Sequence, residues 1–227
     1  MDAIRYELAT SQDLEEVMMF FKENFLNPKS GETLSQAVDL DEENEEVLAL
    51  FRRLVSHALP DNVTYLARDE LSNQLAGLRL SHLSSPEDFV EKWQELTSRR
   101  FHYEKLELLF GQYFKSYWSA VDFDAVFEEW DADCLLAFDA LCVAADFKRR
   151  GIAAKLNQLT LDRGCALGCD TALVLATGVA SQRLFHKLDF KVVKDLLFAD
   201  VKGEDGRQLI HPKNGTTSAQ FMAKKLN

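Results

Sequence analysis

Residues 141–156, LCVAADFKRRGIAAKL, decide the fold of this chain. An apolar run ends at Val143, a basic tripeptide follows at positions 148–150, and Gly151 then opens a segment of good helix-forming residues. The N-terminus of a helix exposes unpaired backbone N–H groups and the positive end of the helix dipole. A glycine there lets a ligand approach the main chain, because it carries no Cβ. The stretch therefore predicts a strand, a turn and a helix start that together bind a pyrophosphate.

Strands and helices alternate on both sides of this turn. Residues 135–143 read as the strand before it and residues 152–167 as the helix after it, ended by Gly168. Further strands are predicted at 4–8, 63–67, 75–83, 171–176, 190–197 and 220–225, with a short helix at 181–188. Paired strands at both ends and alternating elements in the middle are typical of an α/β fold built on one mixed sheet.

Residues 88–130 interrupt this alternation with an aromatic-rich segment that has helical periodicity. We expect two or three helices here, inserted between the third and fourth strands of a single domain spanning residues 1–227. Aromatic residues at helical spacing usually form core. Some of them could also line a pocket for an amine, because an aromatic face attracts a cation or stacks on an aryl ring.

Composition excludes some classes of function. The chain has 227 residues, with 26 Lys and Arg against 37 Asp and Glu, which gives a formal charge of −11. Nucleic-acid binding needs a basic face, so we expect no nucleic-acid partner. The sequence shows neither a secretory signal nor an apolar run long enough to span a membrane, so we expect no membrane partner.

The four cysteines lie in apolar or helical patterns. Cys165 and Cys169 have helical spacing, but no second pair of Cys or His residues completes a zinc site, so we expect no metal. Free thiols are usual in a reducing compartment. The sequence predicts a cytoplasmic protein and leaves its oligomeric state open.

The turn resembles the acetyl-CoA motif of the GCN5-related N-acetyltransferase superfamily. That motif reads Arg/Gln-x-x-Gly-x-Gly/Ala after a strand, and here Lys148 stands at the usual Arg or Gln position, followed by Gly151 and Ala153. Residues 171–176 are similar to the next strand of that superfamily, and SQRLFHKLDF at 181–190 is similar to its following helix. The resemblance covers residues 135–197, which it identifies as an acyl-CoA-binding core.

A narrower resemblance covers nearly the full length. The order of elements is similar to that of the invertebrate arylalkylamine N-acetyltransferases, which include dopamine N-acetyltransferases. Those proteins carry a Glu-Pro-Leu-Asn/Thr segment after the first helix, and Glu32-Thr33-Leu34-Ser35 resembles it. They also carry helices between the third and fourth strands.

These resemblances imply roles for particular residues. Glu32 would act as general base, directly or through water, and Ser181 would have a catalytic or CoA-contacting role. Backbone groups of Leu141 and Val143 would contact the pantetheine arm, and the Val143 N–H would polarise the thioester carbonyl. The residues implied to bind acetyl-CoA are Leu141, Val143, Lys148, Arg149, Arg150, Gly151, Ile152, Ala153 and Ala154.

Two positions depart from the superfamily pattern. Phe185 stands where many members have a tyrosine that protonates the leaving thiolate, and a phenylalanine cannot donate a proton. Protonation is then left to Ser181, to water or to no group. Asp189 replaces the usual glycine after the helix, and aspartate tolerates the left-handed conformation better than most residues.

The resemblances imply an acetyl-CoA-dependent N-acyltransferase that acts on a small primary amine, most simply an arylalkylamine. A polyamine, an amino acid or a protein amine is the alternative acceptor. A non-catalytic acyl-CoA-binding protein is the third possibility, which the missing tyrosine leaves open. Residues around Glu32 supply one local expectation: Thr33 and Gln36 have capping-box spacing for a short helix.

Overall fold

The computed structural model describes residues 3–29, 32–203 and 205–226. Its strands form one seven-stranded sheet in the order β1-β2-β3-β4-β5-β7-β6, in which β4 and β5 are parallel and all other neighbours are antiparallel. The strands are β1 (Ile4–Leu8), β2 (Tyr65–Asp69), β3 (Leu75–Ser84), β4 (Leu135–Val143), β5 (Thr171–Ala176), β6 (Lys191–Leu197) and β7 (Ser218–Lys225). The predicted α/β class with a mixed sheet is confirmed.

Helices cover both faces of the sheet. In chain order they are α1 (Leu14–Phe21), α2 (Thr33–Val38), α3 (Glu45–Ala58), α4 (Pro86–Ser98), α5 (Glu104–Leu106), α6 (Lys115–Ser119), α7 (Phe123–Trp130), α8 (Ile152–Ala166) and α9 (Val179–Lys187). Helices α4 to α7 lie between β3 and β4, which confirms the predicted helical insertion between the third and fourth strands.

The central strand β4 is buried on both faces. Leu135, Ala137 and Cys142 belong to the core that α1, α3 and the insertion helices cover. Leu136 and Phe138 belong to the core beneath α8 and α9. Neighbouring side chains of a strand point to opposite faces, so an apolar run is what a strand between two helical layers requires.

Gly77 of β3 sets how closely α8 approaches the sheet. A Cβ at Gly77 would stand 2.9 Å from a methyl carbon of Ile152 and 3.2 Å from one of Leu156. The absence of a side chain at this position therefore lets the first turns of α8 lie directly on the strands.

The parallel strands β4 and β5 separate at a fork. Their pairing runs from Leu135 opposite Thr171 to Phe138 opposite Val174, the last pair that the described residues of these strands form. Both strands continue, to Val143 and to Ala176. The register between β3 and β4 shifts at the same level and leaves Asp139 as a bulge. Bulges bend a strand, so the bulge and the separation together open the sheet at its centre.

Two wide helical segments flank the fork. Residues Lys22–Leu26 continue α1 as a π-helix, and residues Glu107–Phe114 join α5 to α6 in the same form. π-Helical turns are rare and frequently occur at functional sites. Within the described ranges, no helix is both long and apolar enough to cross a membrane.

Candidate active site

The turn before α8 has the backbone geometry of an anion site. Gly151 precedes the helix with φ of 79°, and Arg149 has φ of 65°, both in the left-handed region. The Lys155 N–H is the first to bond within the helix, to the Gly151 carbonyl at 3.0 Å. No described side chain caps α8, so the N–H groups of Ile152, Ala153 and Ala154 are open to a ligand. Left-handed residues in a turn gather N–H groups into a concave anion-binding nest.

Basic side chains surround this turn. Lys148 lines the groove that leads from the turn to the fork. Arg150 is fixed beside it: its guanidinium donates to the Asp146 carbonyl at 3.0 Å and lies 5.0 Å from the centre of the Phe147 ring. The turn is therefore a positively charged region on a protein of net negative charge.

The strand that leads to the turn offers two backbone amides to the fork. The Ala144 N–H bonds to the Ala76 carbonyl of the neighbouring strand at 3.0 Å. Backbone groups alternate along an antiparallel ladder, so the amides of Cys142 and Ala144 face β3. The amides of Leu141 and Val143 then face the opposite way, into the gap between β4 and β5. Leu141 lies nearer the fork and Val143 nearer the turn.

The far wall of the groove is helix α9. Ser181 lines it and donates its hydroxyl to the Gly178 carbonyl at 2.7 Å. The helix begins at Val179 with Gly178 as its N-cap, so the predicted start at residue 181 is two residues late. Thr33 of α2 packs closely against Gly178, because a Cβ at Gly178 would lie 2.6 Å from the Thr33 hydroxyl.

The positions that depart from the superfamily pattern keep their structural roles. Phe185 is buried and packs edge-on against Phe138 and Phe190, with ring centres 5.8 and 4.9 Å apart. Asp189 has φ of 65°, as expected for a residue that ends a helix in the left-handed conformation.

Glu32 lies where α2, β5 and the fork meet. One of its carboxylate oxygens accepts a hydrogen bond from the Ser35 N–H at 2.7 Å, and the other accepts one from the Thr177 hydroxyl at 2.9 Å. Glu32 is thus the N-cap of α2. The predicted capping box of Thr33 with Gln36 is wrong, because the Thr33 hydroxyl accepts from the Asn214 side chain at 3.0 Å.

The electrostatics of Glu32 suit a proton acceptor. Burial raises the pKa of this carboxyl, and hydrogen bonds from the N–H groups of Leu34 and Ser35 and from Thr177 offset part of the rise. A general base works best when its pKa approaches the working pH, which burial of a glutamate favours.

An aromatic cavity lies on the α1 side of the fork and encloses about 140 Å³. Glu32 and Asp139 are the carboxylates among its described lining residues. The rest of the lining is almost entirely apolar, drawn from α1, α3, the insertion helices and the sheet. Its aromatic members are Phe21, Phe25, Phe51, Phe89, Trp93, Phe110, Phe114, Trp118, Phe138 and Phe221.

Asp139, the bulge residue, is held by a chain of basic groups. The His82 Nδ1 lies 2.7 Å from the Asp139 carboxylate, and the Lys92 Nζ lies 3.2 Å from the other ring nitrogen of His82. Burial acts to raise the pKa of Asp139, but attraction to His82, Lys92 and Arg79 outweighs it and the pKa lies below its usual value. The carboxylate at the fork is therefore ionised and already paired.

Three polar residues of this region were not singled out from the sequence. Thr177 directly follows β5, where residues after a parallel strand commonly reach a site. Asp139 and Arg79 are charged residues inside largely apolar strands, and that contrast is the signal that could have found them. Within residues 3–29, 32–203 and 205–226, no group of three His, Cys, Asp or Glu side chains could hold a metal ion.

A mixed sheet that forks between its two parallel strands, with an anion-binding turn after the first of them, defines the fold of the GCN5-related N-acetyltransferases. Comparison with solved structures agrees. Arylalkylamine N-acetyltransferase 2 from Aedes aegypti has a TM-score of 0.82 at 24% identity, covering 99% of both chains. A polyamine N-acetyltransferase from Drosophila melanogaster that forms N-acetylagmatine has a TM-score of 0.81 at 21% identity, covering 99% of this chain and 100% of its own.

A more distant neighbour was solved with a cofactor. NAA60 from Arabidopsis thaliana, in complex with acetyl-CoA, has a TM-score of 0.53 at 14% identity, with 99% of each chain covered. No protein-family model matches the sequence, and no curated protein does. The chain thus has the GCN5-related N-acetyltransferase fold, most like the insect arylalkylamine and polyamine N-acetyltransferases, and the predicted resemblance is confirmed at the level of the fold.

Proposed function

We propose that this protein is an acyl-CoA-dependent N-acyltransferase that acetylates a small primary amine, with an arylalkylamine as the preferred acceptor. One observation carries the proposal: the fork joins a groove that leads to the basic turn with an aromatic cavity that holds a buried glutamate. A donor and an acceptor can therefore meet at the fork from opposite faces of the sheet.

Acetyl-CoA occupies the groove between α8 and α9 in this proposal. The open N–H groups of Ile152, Ala153 and Ala154 and the charges of 148–150 bind the pyrophosphate. The pantetheine arm then runs along β4 toward the fork, where the missing strand pairing leaves room for it. Arg149 and Gly151 hold the turn in the left-handed conformation that binding requires.

The amides of Leu141 and Val143 act on this arm. Because the pyrophosphate lies beside the turn, the thioester lies at the other end of the arm, nearer the fork. This order gives the Leu141 N–H, in place of the Val143 N–H that the resemblance implied, the better position to bond the thioester oxygen. The Val143 N–H then bonds to the pantetheine. A backbone N–H aimed at the oxygen stabilises the charge that develops there as the amine attacks.

Glu32 supplies the base. It takes a proton from the incoming ammonium group, directly or through water, and the neutral amine attacks the thioester carbon. The tetrahedral intermediate collapses with cleavage of the C–S bond, and CoA leaves. The raised pKa of Glu32 makes it a stronger base than an exposed glutamate.

The aromatic cavity favours an aryl group on the acceptor. An apolar cavity of about 150 Å³ admits benzene in another protein, and the cavity here has a comparable 140 Å³. Aromatic walls stack on an aryl ring and attract a cation. A polyamine would leave its additional charges against an apolar lining, which is unfavourable without partners.

A panel of amines tests the acceptor class. We expect acetyl-CoA turnover, read by thiol release, to show kcat/KM values about 10- to 100-fold higher for tryptamine and dopamine than for agmatine and spermidine, because an aryl group buries apolar surface in the cavity. Preference for agmatine or spermidine would overturn the acceptor class. No turnover of any amine by a protein that binds CoA would identify a binding protein instead of an enzyme.

Thr177 provides a prediction for the pH dependence. Its hydroxyl bonds to the ionised form of Glu32, so Thr177→Val should raise the pKa of that carboxyl further. Because Glu32 must be ionised to act, the acidic limb of the kcat/KM profile should move to higher pH by about one unit. Thr177→Ser keeps the hydroxyl and is the control. An acidic limb at the same pH in Thr177→Val and the wild type would show that Thr177 does not affect the pKa of Glu32.

The cytoplasmic location and the expectation of neither a nucleic-acid nor a membrane partner stay predictions from the sequence.

A further inference from the structure

Arg79 is a buried cation at the centre of the sheet. It lies in β3 and exposes only 2% of its surface. Its Nε and Nη2 have no hydrogen-bond partner among the described residues. The guanidinium carbon stands 4.1 Å from the centre of the Phe138 ring and 5.6 Å from that of Phe185. A buried guanidinium normally has its donors paired, because unpaired burial of a charge is strongly unfavourable.

Among the described residues, no charged or titratable group near Arg79 forms a hydrogen bond with its Nε or Nη2. Asp139 attracts it, but that carboxylate is bound to His82 at 2.7 Å. Burial keeps the pKa of the Cys142 thiol well above its usual value, so this neighbour is neutral. Burial lowers the pKa of Arg79 itself to about 9, which leaves it cationic at neutral pH.

Arg79 lies at the wall of the groove that leads from the turn to the fork. Arg79 is the cross-strand partner of Leu141 and lines the groove together with Ser181 and Phe185. If the proposed function holds, this is where the sulfur of acyl-CoA lies. Phe185 has no donor, and the Ser181 hydroxyl is engaged with the Gly178 carbonyl. Arg79 is then the cation beside the position where negative charge appears when the C–S bond breaks.

We propose that the Arg79 guanidinium binds the sulfur of CoA and stabilises it as the leaving thiolate. Glu32 first passes the proton of the ammonium group to solvent, and the neutral amine nitrogen then forms its bond to the carbonyl carbon. The second proton of the nitrogen goes to Glu32 as the tetrahedral intermediate forms. When the intermediate collapses, the electron pair of the C–S bond passes to sulfur, and the thiolate stays paired with Arg79 until CoA is released and takes a proton from solvent. A charge-assisted hydrogen bond of this kind replaces proton donation by a tyrosine.

The test compares CoA with desulfo-CoA, which lacks only the sulfur, by calorimetry at several pH values between neutrality and about 9, the pKa of Arg79. The wild type should bind CoA more tightly than desulfo-CoA, and the ratio should grow with pH to roughly 10- to 100-fold as the thiol ionises. Titration of the phosphates affects both ligands and cancels in the ratio. The ultraviolet absorbance of bound thiolate should appear at a lower pH than in free CoA.

Variants of Arg79 test whether its charge causes the preference for CoA over desulfo-CoA. Arg79→Met fills the buried site without a charge and should bind both ligands equally, with kcat reduced roughly 10- to 100-fold and KM for acetyl-CoA little changed. Arg79→Lys keeps the charge and should retain part of the preference. Unchanged preference in a folded Arg79→Met would overturn the proposal and leave Arg79 as a structural partner of the aromatic rings.

The comparison of CoA with desulfo-CoA in the wild type tests the role of Arg79 even if the variants fail to fold. Equal affinity of the wild type for CoA and desulfo-CoA at all pH values would overturn the role of Arg79 and leave the proposed function intact. Failure of the wild type to bind either ligand would overturn the proposed function itself.

Discussion

Replacing Glu32 by glutamine is expected to lower kcat for amine acetylation by about 10²- to 10⁴-fold, the usual contribution of a general base. The amide keeps the size of the side chain and an oxygen that can cap α2, but it cannot accept a proton from the ammonium group. Affinity for CoA should be little changed, because Glu32 lies at the fork, where it lines both the cavity and the groove, and not at the turn that binds the pyrophosphate. Steady-state thiol release across a pH range measures the effect, and the acidic limb assigned to Glu32 should disappear.

Glu87→Gln is the matched control. Glu87 is an exposed glutamate in the first turn of α4, so the same chemical change should leave the rate within about twofold. An unchanged rate and pH profile in Glu32→Gln would show that another group, or bulk water, takes the proton.

The second large effect is expected at Gly151. Gly151→Trp should weaken CoA binding at least about 100-fold, because the indole would occupy the space in which the pyrophosphate meets the open N–H groups of α8. Apart from the two neighbouring residues, no atom of the described part of the chain lies within 4 Å of a Cβ built there, so the added side chain should not collide with the fold. Calorimetric titration with CoA measures the loss.

Strain must be separated from obstruction, since Gly151 has φ of 79° and any other residue is strained there by about 1 kcal/mol. Gly168 provides the comparison: it has φ of 87°, equally open surroundings, and lies at the opposite end of α8. Gly168→Trp should lose a similar amount of stability and keep its CoA affinity. Retained affinity in Gly151→Trp, or equal losses in both variants, would contradict the assignment of the turn.

Local signals in the sequence predicted the strands and the helix around the turn well. The bounds of β1, β4 and β5 agree with the predicted strands, and α8 begins at Ile152 as predicted. These elements are specified by residues close together in the chain: an apolar run, a basic turn, a left-handed glycine and a helix-forming segment. The predicted second strand begins two residues too early because Val63 and Thr64 are buried like strand residues but precede β2.

The acceptor side depends on contacts that the sequence does not display. Thr177 bonds to Glu32 across 145 positions of the chain. The spacing of Thr33 and Gln36 predicts Thr33 as the N-cap of α2, but the Thr33 hydroxyl accepts a hydrogen bond from Asn214, and Glu32 is the N-cap. Arg79 could be recognised as unusual within a largely apolar strand, but only the fold shows that its Nε and Nη2 have no partner among the described residues.

The structure of the aromatic insertion also depends on contacts that the sequence does not display. Helical periodicity predicts helices over 88–130, but not the π-helical segment Glu107–Phe114, which brings Leu109, Phe110 and Phe114 to the cavity wall. Which aromatic rings form core and which line the cavity is decided by packing against α1, α3 and the sheet.

A crystal structure with a bisubstrate analogue tests most directly whether acetyl-CoA and the amine meet at the fork. In this analogue the nitrogen of tryptamine is joined to the sulfur of CoA through an acetyl bridge. We expect the pyrophosphate on the N-terminus of α8, the sulfur beside Arg79, the bridge near Glu32 and the indole in the aromatic cavity. An analogue whose pantetheine arm bypasses the fork, or whose indole lies outside the cavity, would contradict it.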